Sequence, residues 1–410
     1  MRVVKIPVQH QSSAVPTPKK KRGKRAYFGV VVVVLSIVQL CRPLPAAEIK
    51  LALPTTIPGK DTTLALPAYG QSAVTVKDYG LVATSGAQTQ LSTASIAKVI
   101  TALCVLERKP LQPGQKGPSI TMTRRDVELY QQEVAQNGSR VQVYEGQKMS
   151  EYMALQAIMI PSANNIANTL AEWAFGSLEE YSAYANNFVM RHGLVNTRIG
   201  TDASGYDPST ASSASDLARL GVIAEANPVL MEIAGQASAT FPLSGQMTNY
   251  NTILGKNGIT GLKTGNNEQN PGALLWTGKT SVANRTLQFA GAVAGASDLA
   301  EALESSRMLA ASLPQNFEKL TIAHAEQVVG RLTTQWGSTA DIVFEAPVSI
   351  VRYRGDAITI RLTTITTDGV TTKKIGVAAI NVNSSTVSKN LILRQPAQQP
   401  SLVWRLTRLR

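Results

Sequence analysis

Cysteine and histidine are scarce in this chain. Its 410 residues hold two cysteines, Cys41 and Cys104, and three histidines, His10, His192 and His324. Two cysteines exclude a disulfide scaffold and a cysteine-based zinc site. The histidines lie far apart, so no histidine metal cluster is expected, and no metal or other cofactor is called for. Any catalysis must rest on Ser, Lys, Asn, Asp and Glu. There is no internal repeat. With 44% hydrophobic and 16% charged residues, the chain is neither disordered nor collagen-like. Its length fits two or three units.

Acid is also missing at the start. Arg2, Lys5, Lys19, Lys20, Lys21, Arg22, Lys24 and Arg25 precede the first carboxylate. The formal net charge is +13, and these eight cations leave only +5 for everything after residue 25. The folded part is mildly basic, and no nucleic-acid partner is expected.

Ala26 to Cys41 is an uncharged apolar run between KKKRGKR and Arg42. It falls short of the roughly 20 residues of a full membrane span. One reading is a signal peptide cut near Pro45-Ala46-Ala47; the other is an uncleaved signal anchor. The length of the basic segment favours the anchor. In both, residues 1–25 remain cytoplasmic and the remainder is exported. The chain then sits on the cell membrane with its catalytic part outside the cytoplasm, or is secreted if the signal is cleaved.

Residues 42–60 are Pro- and Ala-rich and read as a linker. Between 61 and 315, β-like runs alternate with helical patterns. Ala73–Val76 and Leu81–Thr84 read as a hairpin. Ser95 to Leu106 is apolar almost all round, the mark of a buried helix. Further helices are expected over 150–159, 164–175, 178–191, 214–224 and 298–313, and strands over 273–277 and 286–293. From 318 to 390 the pattern turns to β: Ala357–Leu362 alternates with period two, and Asp368-Gly369 signals a turn. Residues 391–410 form a tail with Trp404 and three of the chain's arginines in its last ten residues.

Three short motifs carry candidate chemistry. In Ser95-Ile96-Ala97-Lys98 the serine and lysine share a helix face at i and i+3, and a neutral lysine can take the serine proton without histidine. In Ser162-Ala163-Asn164, after Pro161, a serine can relay a proton and an asparagine can hold an amide. In Lys263-Thr264-Gly265, on an edge strand, lysine and threonine point to opposite faces unless a twist brings both to a groove. Gly265 leaves room there for a substrate backbone. Each motif alone is weak: Ser-x-x-Lys occurs by chance, Ser and Asn cap ordinary helices, and a strand end is ordinarily solvated. Together, in this order and 67 and 101 residues apart, they are specific.

This set resembles the penicillin-binding serine D-alanyl-D-alanine carboxypeptidases of low molecular mass. ASIAKVITALCVLE, IMIPSANNIANTLAEW, TDASGYDPSTASSASDLARL and GLKTG also look like that family's surroundings, over roughly residues 65–310. The resemblance implies an α+β fold: a DD-peptidase/β-lactamase-like domain of antiparallel sheet and helices, followed by a small all-β domain. It implies that Ser95 is the acylated nucleophile, Lys98 its base, and Ser162 the proton shuttle to the leaving amine. Asn164 would bind the substrate amide, and Lys263 and Thr264 would face the substrate's terminal carboxylate. The backbone N–H groups of Ser95 and Asn266 would form the oxyanion hole. The substrates would be peptidoglycan stem peptides, and β-lactam antibiotics would be covalent inhibitors.

Asn266 follows Lys-Thr-Gly where His or Ser is usual in the family. Ala294–Leu299 lacks the arginine that many members place there, and Arg307 lies a helix further on. That leaves DD-endopeptidase activity open beside the carboxypeptidase. A serine β-lactamase needs a deacylating Glu on a loop, whereas Glu179 and Glu180 fall in a helix. An inert wall-binding protein is the non-enzyme alternative. Lys98 is expected in a cleft near Ser95, Ser162 and Asn164, its proton affinity lowered by burial and by Lys263.

Overall fold

The computed structural model describes residues 22–365, 374–382 and 385–408. The basic segment ahead of residue 22, His10 and the Asp368-Gly369 turn lie outside the described residues. Helix α1 (Arg22–Cys41) leads to short strands β1 (Glu48–Leu51) and β2 (Thr56–Ile57), then to the hairpin β3 (Gln71–Val76) and β4 (Gly80–Ser85). Next come α2 (Ala97–Arg108), α3 (Arg124–Ala135), α4 (Glu151–Met159) and α5 (Asn164–Phe175). They are followed by α6 (Leu178–Arg191), α7 (Ala214–Glu225) and α8 (Pro228–Ala234). Strands β5 (Ile259–Asn267), β6 (Asn270–Val282) and β7 (Arg285–Ala296) precede α9 (Leu299–Ser312). The later chain is mainly strand: β8 (Phe317–Ala323), β9 (Gly330–Thr333), β10 (Thr339–Phe344) and β11 (Val348–Tyr353). Strands β12 (Ile358–Ile365), β13 (Lys374–Val382) and β14 (Ser385–Leu393) lead to the short helix α10 (Leu402–Thr407).

Helix ends follow local chemistry. Ser150, Ser177 and Ser213 cap α4, α6 and α7 by accepting from the backbone N–H three residues on, and Asp298 does the same for α9. Each such cap is worth about 1 kcal/mol.

A five-stranded antiparallel sheet, ordered β5-β6-β7-β3-β4, carries the first half of the fold. β3, from the start of the domain, sits beside β7, from its end, so the sheet closes the intervening helices into one body. Helix α7 packs on one face and α9 on the other. α7 comes very close at Gly221, where a Cβ would lie 2.5 Å from the Ala290 Cβ. The core under α7 continues into the helical lobe through Val99, Ile100, Leu155, Ile158, Ile166 and Leu170. Burying each large apolar side chain contributes about 1.5–3 kcal/mol. The all-apolar pattern of α2 is explained by this position: neighbours surround it, and every residue from Ala97 to Leu106 is buried. The fold is α+β, as expected.

Residues 42–60 do not form a free linker. β1 pairs with β9 and β2 with β12, so both belong to the late sheet, whose described strands run β1-β9-β10-β14-β13-β12-β2. Arg352 is 1% exposed and donates to the Pro58 carbonyl at 2.9 Å, while Lys60 N–H bonds Arg354 O at 2.6 Å. The segment was illegible because strands of four and two residues show no periodicity of their own; their ladder partners lie some 280 residues away. The tail is also partly ordered. Arg408 of the final segment donates to the carbonyls of Gln39, Arg42 and Pro43 at the end of α1.

Candidate active site

The first motif does not open directly as an α-helix. Ala94–Ile96 forms a single 3₁₀ turn, and α2 begins at Ala97. Ser95 on this turn and Lys98 in the first turn of α2 keep the i, i+3 spacing that puts both side chains on one face. Ala94 has φ 45°, in the left-handed region. Such a residue costs on the order of 1–3 kcal/mol and persists where packing over-determines it.

Lys98 Nζ lies 2.8 Å from Ser95 Oγ, 2.7 Å from Asn164 Oδ1 and 2.8 Å from the Ser204 carbonyl oxygen. The lysine is 0% exposed, while Ser95 is half-buried at the lip of the site. Two of the three expected neighbours are therefore in contact. The third differs: Ser162 Oγ is buried but has no hydrogen-bond partner among the described residues, and Ser204 O takes that place. Ser162 has φ 62°, a second left-handed residue at the mouth of a helix. An unsatisfied buried hydroxyl costs about 1–3 kcal/mol.

Burial drives the Lys98 amine down to about 7, against the pull of the Asp202 and Glu133 carboxylates, which favour the ammonium. Lys263 is 2% exposed, and burial together with the Lys98 charge pushes it well below the ordinary lysine range. Two amines in one dry pocket resist being cationic together.

The geometry suits a neutral Lys98. An ammonium donates to all three of its oxygen neighbours. Asn164 Oδ1 and Ser204 O can only accept, so a neutral amine spends its two N–H bonds on them. Its lone pair is then left for the Ser95 hydroxyl hydrogen, and the pocket selects the direction of proton transfer.

The third motif lies on the edge strand β5, as expected, and its twist brings both side chains inward. Lys263 Nζ reaches Thr264 O at 3.1 Å, and Lys263 and Thr264 are both buried. Gly265 lies against the turn that carries Ser95. A Cβ there would lie 2.8 Å from Thr93 O and 3.3 Å from Ala94 Cβ, so the missing side chain admits the nucleophile turn. The β5–β6 register shifts between Gly265 and Asn267, where the single residue Asn266 faces two on β6, Pro271 and Gly272; Asn266 has no ladder partner there and is exposed. Arg307 pairs with Glu304 and lies on the outer side of α9. Glu179 and Glu180 stay exposed in the first turn of α6.

Sequence reasoning missed Glu133, Asp202, Ser204, Asn267 and Asn270. Asp202 accepts from Ser204 Oγ and from the backbone N–H groups of Gly205 and Tyr206, and this turn presents the Ser204 carbonyl to Lys98. The Asp-x-Ser-Gly run, with Gly205 at φ 72°, is a readable turn signal. Asn270 holds Ser92 O and Gly295 N–H, and Asn267 holds Ser92 Oγ; together they tie the β5–β6 turn to the strand before Ser95.

This sheet-and-helix body is the DD-peptidase fold. The structure is similar to penicillin binding protein 5 from Haemophilus influenzae, with a TM-score of 0.58 and 17% identity over 83% of this chain and 99% of that one. It is equally similar to penicillin binding protein 6B from Escherichia coli, with TM-score 0.58, 19% identity, and 84% and 100% of the two chains covered. The Streptomyces K15 DD-transpeptidase matches 62% of this chain and 98% of its own, with TM-score 0.52 and 19% identity. In sequence, the chain is 26% identical to the D-alanyl-D-alanine carboxypeptidase DacD of Salmonella typhimurium over 285 residues, 67% of this chain and 71% of that protein. The D-alanyl-D-alanine carboxypeptidase family model matches residues 71–294. The chain belongs to that family of serine peptidases.

Proposed function

We propose that the enzyme trims peptidoglycan stem peptides through an acyl-enzyme on Ser95, and that Lys98 in its uncharged form is the base that makes Ser95 a nucleophile. The observation that carries this is the three-oxygen setting of Lys98 Nζ, fully buried, with two acceptor-only partners and Ser95 Oγ at 2.8 Å.

Ser95 attacks the carbonyl of the penultimate D-alanine as its proton passes to Lys98. The negative charge on the carbonyl oxygen is met by the N–H groups of Ser95 and Asn266, the latter freed from the ladder by the bulge. The proton returns through Ser162, whose unsatisfied hydroxyl suits a relay, to the leaving terminal D-alanine. Asn164 holds the substrate amide with Nδ2. Lys263 and Thr264, from the edge strand, receive the terminal carboxylate, whose negative charge favours the protonated Lys263 against the burial and the Lys98 charge that otherwise lower its proton affinity. Water then releases the shortened peptide. Penicillins acylate Ser95 by the same path.

In this reading residues 61–315 carry the chemistry and the strands from 318 onward form a second unit. Helix α1 is the membrane contact. Its uncharged part, Ala26 to Cys41, reaches about 24 Å at 1.5 Å per residue, short of the roughly 30 Å bilayer core. Its described face from Tyr27 to Val38 exposes Phe28, five valines in a row, Leu35 and Ile37. Among the described residues no helix is by itself long and apolar enough to cross a membrane. The catalytic part then works outside the cytoplasm, where its substrate is.

Incubation of the enzyme with a pentapeptide-bearing wall fragment, with products read by mass, is the test. Loss of one alanine supports the carboxypeptidase; release of monomers from cross-linked dimers alone would make it an endopeptidase. No change in either substrate, with no penicillin adduct on Ser95, would overturn the reading.

A further inference from the structure

Glu133 belongs to none of the three motifs, yet it reaches the centre of the site. It projects from the end of α3 and is 5% exposed. Its Oε2 accepts from Asn164 Nδ2 at 2.8 Å, while the other end of the same amide, Oδ1, accepts from Lys98 Nζ at 2.7 Å. Among the described residues no cation forms a salt bridge with Glu133, so its main hydrogen-bond duty is to this amide.

We propose that Glu133 is a positioning residue of the acyl-transfer site, whose carboxylate locks the Asn164 amide in the orientation that presents Oδ1 to Lys98. This rests on the reading of Lys98 as the base of Ser95. A flipped amide would turn N–H towards the N–H of Lys98 and oxygen towards the carboxylate. The charge-assisted bond to the carboxylate would become an oxygen–oxygen repulsion and Lys98 would lose its acceptor, which disfavours the flip by a factor on the order of 10² or more. Without the carboxylate, only Lys98 remains to choose the orientation. The amide also keeps a second Nδ2 hydrogen, free to reach substrate.

The surroundings make the placement rigid. Asp126, one helical face back on α3, caps the helix with Thr123 and accepts from Thr169 Oγ1 of α5 at 2.6 Å. The chain then passes directly over the carboxylate–amide pair at Gly138. A Cβ there would stand 1.9 Å from Glu133 Oε2 and 3.1 Å from Asn164 Nδ2. Asn164 N–H bonds Ser139 O at 2.7 Å, and Asn165 brackets Val141 through both its N–H and its C=O. Glycine at 138 is what allows this roof to close.

The charged groups facing Lys98 are Glu133 from α3, Asp202 from its turn and Lys263 from β5. Glu133 and Asp202 favour the ammonium. A neutral residue at 133 therefore lowers the proton affinity of Lys98, and the acidic limb of Ser95 acylation moves to lower pH. This signature is absent if Glu133 merely fills space.

The test measures Ser95 acylation by a fluorescent penicillin against pH in the full chain, for wild type, Glu133→Gln, Glu133→Ala and Gly138→Ala. Glu133→Gln keeps an acceptor of the same reach, so its plateau rate should stay within about 3-fold of wild type while its acidic limb moves down by about half a pH unit or more. Glu133→Ala should lose about 10- to 100-fold on the plateau, a loss that glutamine rescues. Gly138→Ala, which keeps the charge but displaces the carboxylate, should also slow acylation. Wild-type rates and an unshifted limb in Glu133→Gln and Glu133→Ala would overturn the proposal. So would an equal loss in both with no shift of the limb, or failure of both to fold together with wild-type rates in Gly138→Ala. A wild-type enzyme that acylates at a residue other than Ser95, or not at all, would instead sink the reading beneath it.

Discussion

Asn164 and Lys98, 66 residues apart in sequence, meet end to end: the amide Oδ1 takes a hydrogen from the amine at 2.7 Å. That contact joins the first two motifs through the helices that bear them, α2 and α5, which pack together in the core. The amine is therefore placed by the hydrophobic interior rather than by a mobile loop, and its chemistry depends on a neutral nitrogen at a fixed point.

Lys98→Arg keeps a cation but removes the base, since arginine does not deprotonate in proteins. Labelling of Ser95 by a fluorescent penicillin should fall by roughly 10³-fold or more. Thermal unfolding run alongside separates loss of chemistry from loss of fold. Near-wild-type labelling would assign the base elsewhere.

Gly265→Ala should act on the fold and on the chemistry at once. The added methyl meets Thr93 O at 2.8 Å and must push β5 away from the turn that carries Ser95. Overpacking of this kind costs about 1–3 kcal/mol. Acylation should fall at least tenfold even where the protein remains folded, because the edge strand and the nucleophile turn share that contact. Unchanged acylation and melting temperature would show that the strand is not held there.

Lys263→Met keeps the bulk of the side chain but removes the amine, which a bound carboxylate would hold in its protonated form. A charged hydrogen bond to a carboxylate is worth about 1.5–3 kcal/mol, so KM for a peptide ending in free D-alanine should rise roughly 10- to 100-fold. The same peptide with an amidated end should change little. Equal losses for both substrates would remove Lys263 from carboxylate recognition.

Glu151 offers a stability test away from the chemistry. It is 0% exposed, both carboxylate oxygens lack partners among the described residues, and burial raises it to about 7, with Lys109 opposing. The folded state then holds this proton more tightly than the unfolded state. Between about 4.5 and 7 the folded protein binds more protons, so stability is greatest below that window and falls as pH rises through it. Allowing for partial screening, the loss is about 2 kcal/mol. In Glu151→Gln the decline in unfolding free energy from pH 5 to pH 8 should shrink by about that amount. An unchanged pH dependence would mean that the carboxyl is ionised throughout.

Much of this was legible from the chain itself. Helices were expected over 164–175, after Pro161, and over 178–191, and the structure gives Asn164–Phe175 and Leu178–Arg191. The order and spacing of the Ser95, Ser162 and Lys263 motifs brought the family into view. What stayed hidden is non-local. Glu133 reads as one acid on a polar helix until α3 is laid against α5. The strands at 48–51 and 56–57 acquire a pattern only from partners near residues 330 and 358. Gly265 was expected to leave room for a substrate backbone; that the nucleophile turn lies against it is not visible in the sequence. The left-handed backbone of Ser162 turns on contacts that no triplet encodes.

The most direct measurement of the central claim is the rate of Ser95 acylation by a penicillin across pH 5 to 9 in the wild-type enzyme. If an uncharged Lys98 removes the Ser95 proton, the rate rises about tenfold per pH unit on the acid side and levels off above a single ionisation near 7. A rate that is flat across that range, or one that climbs without bending until the ordinary lysine range, would contradict it.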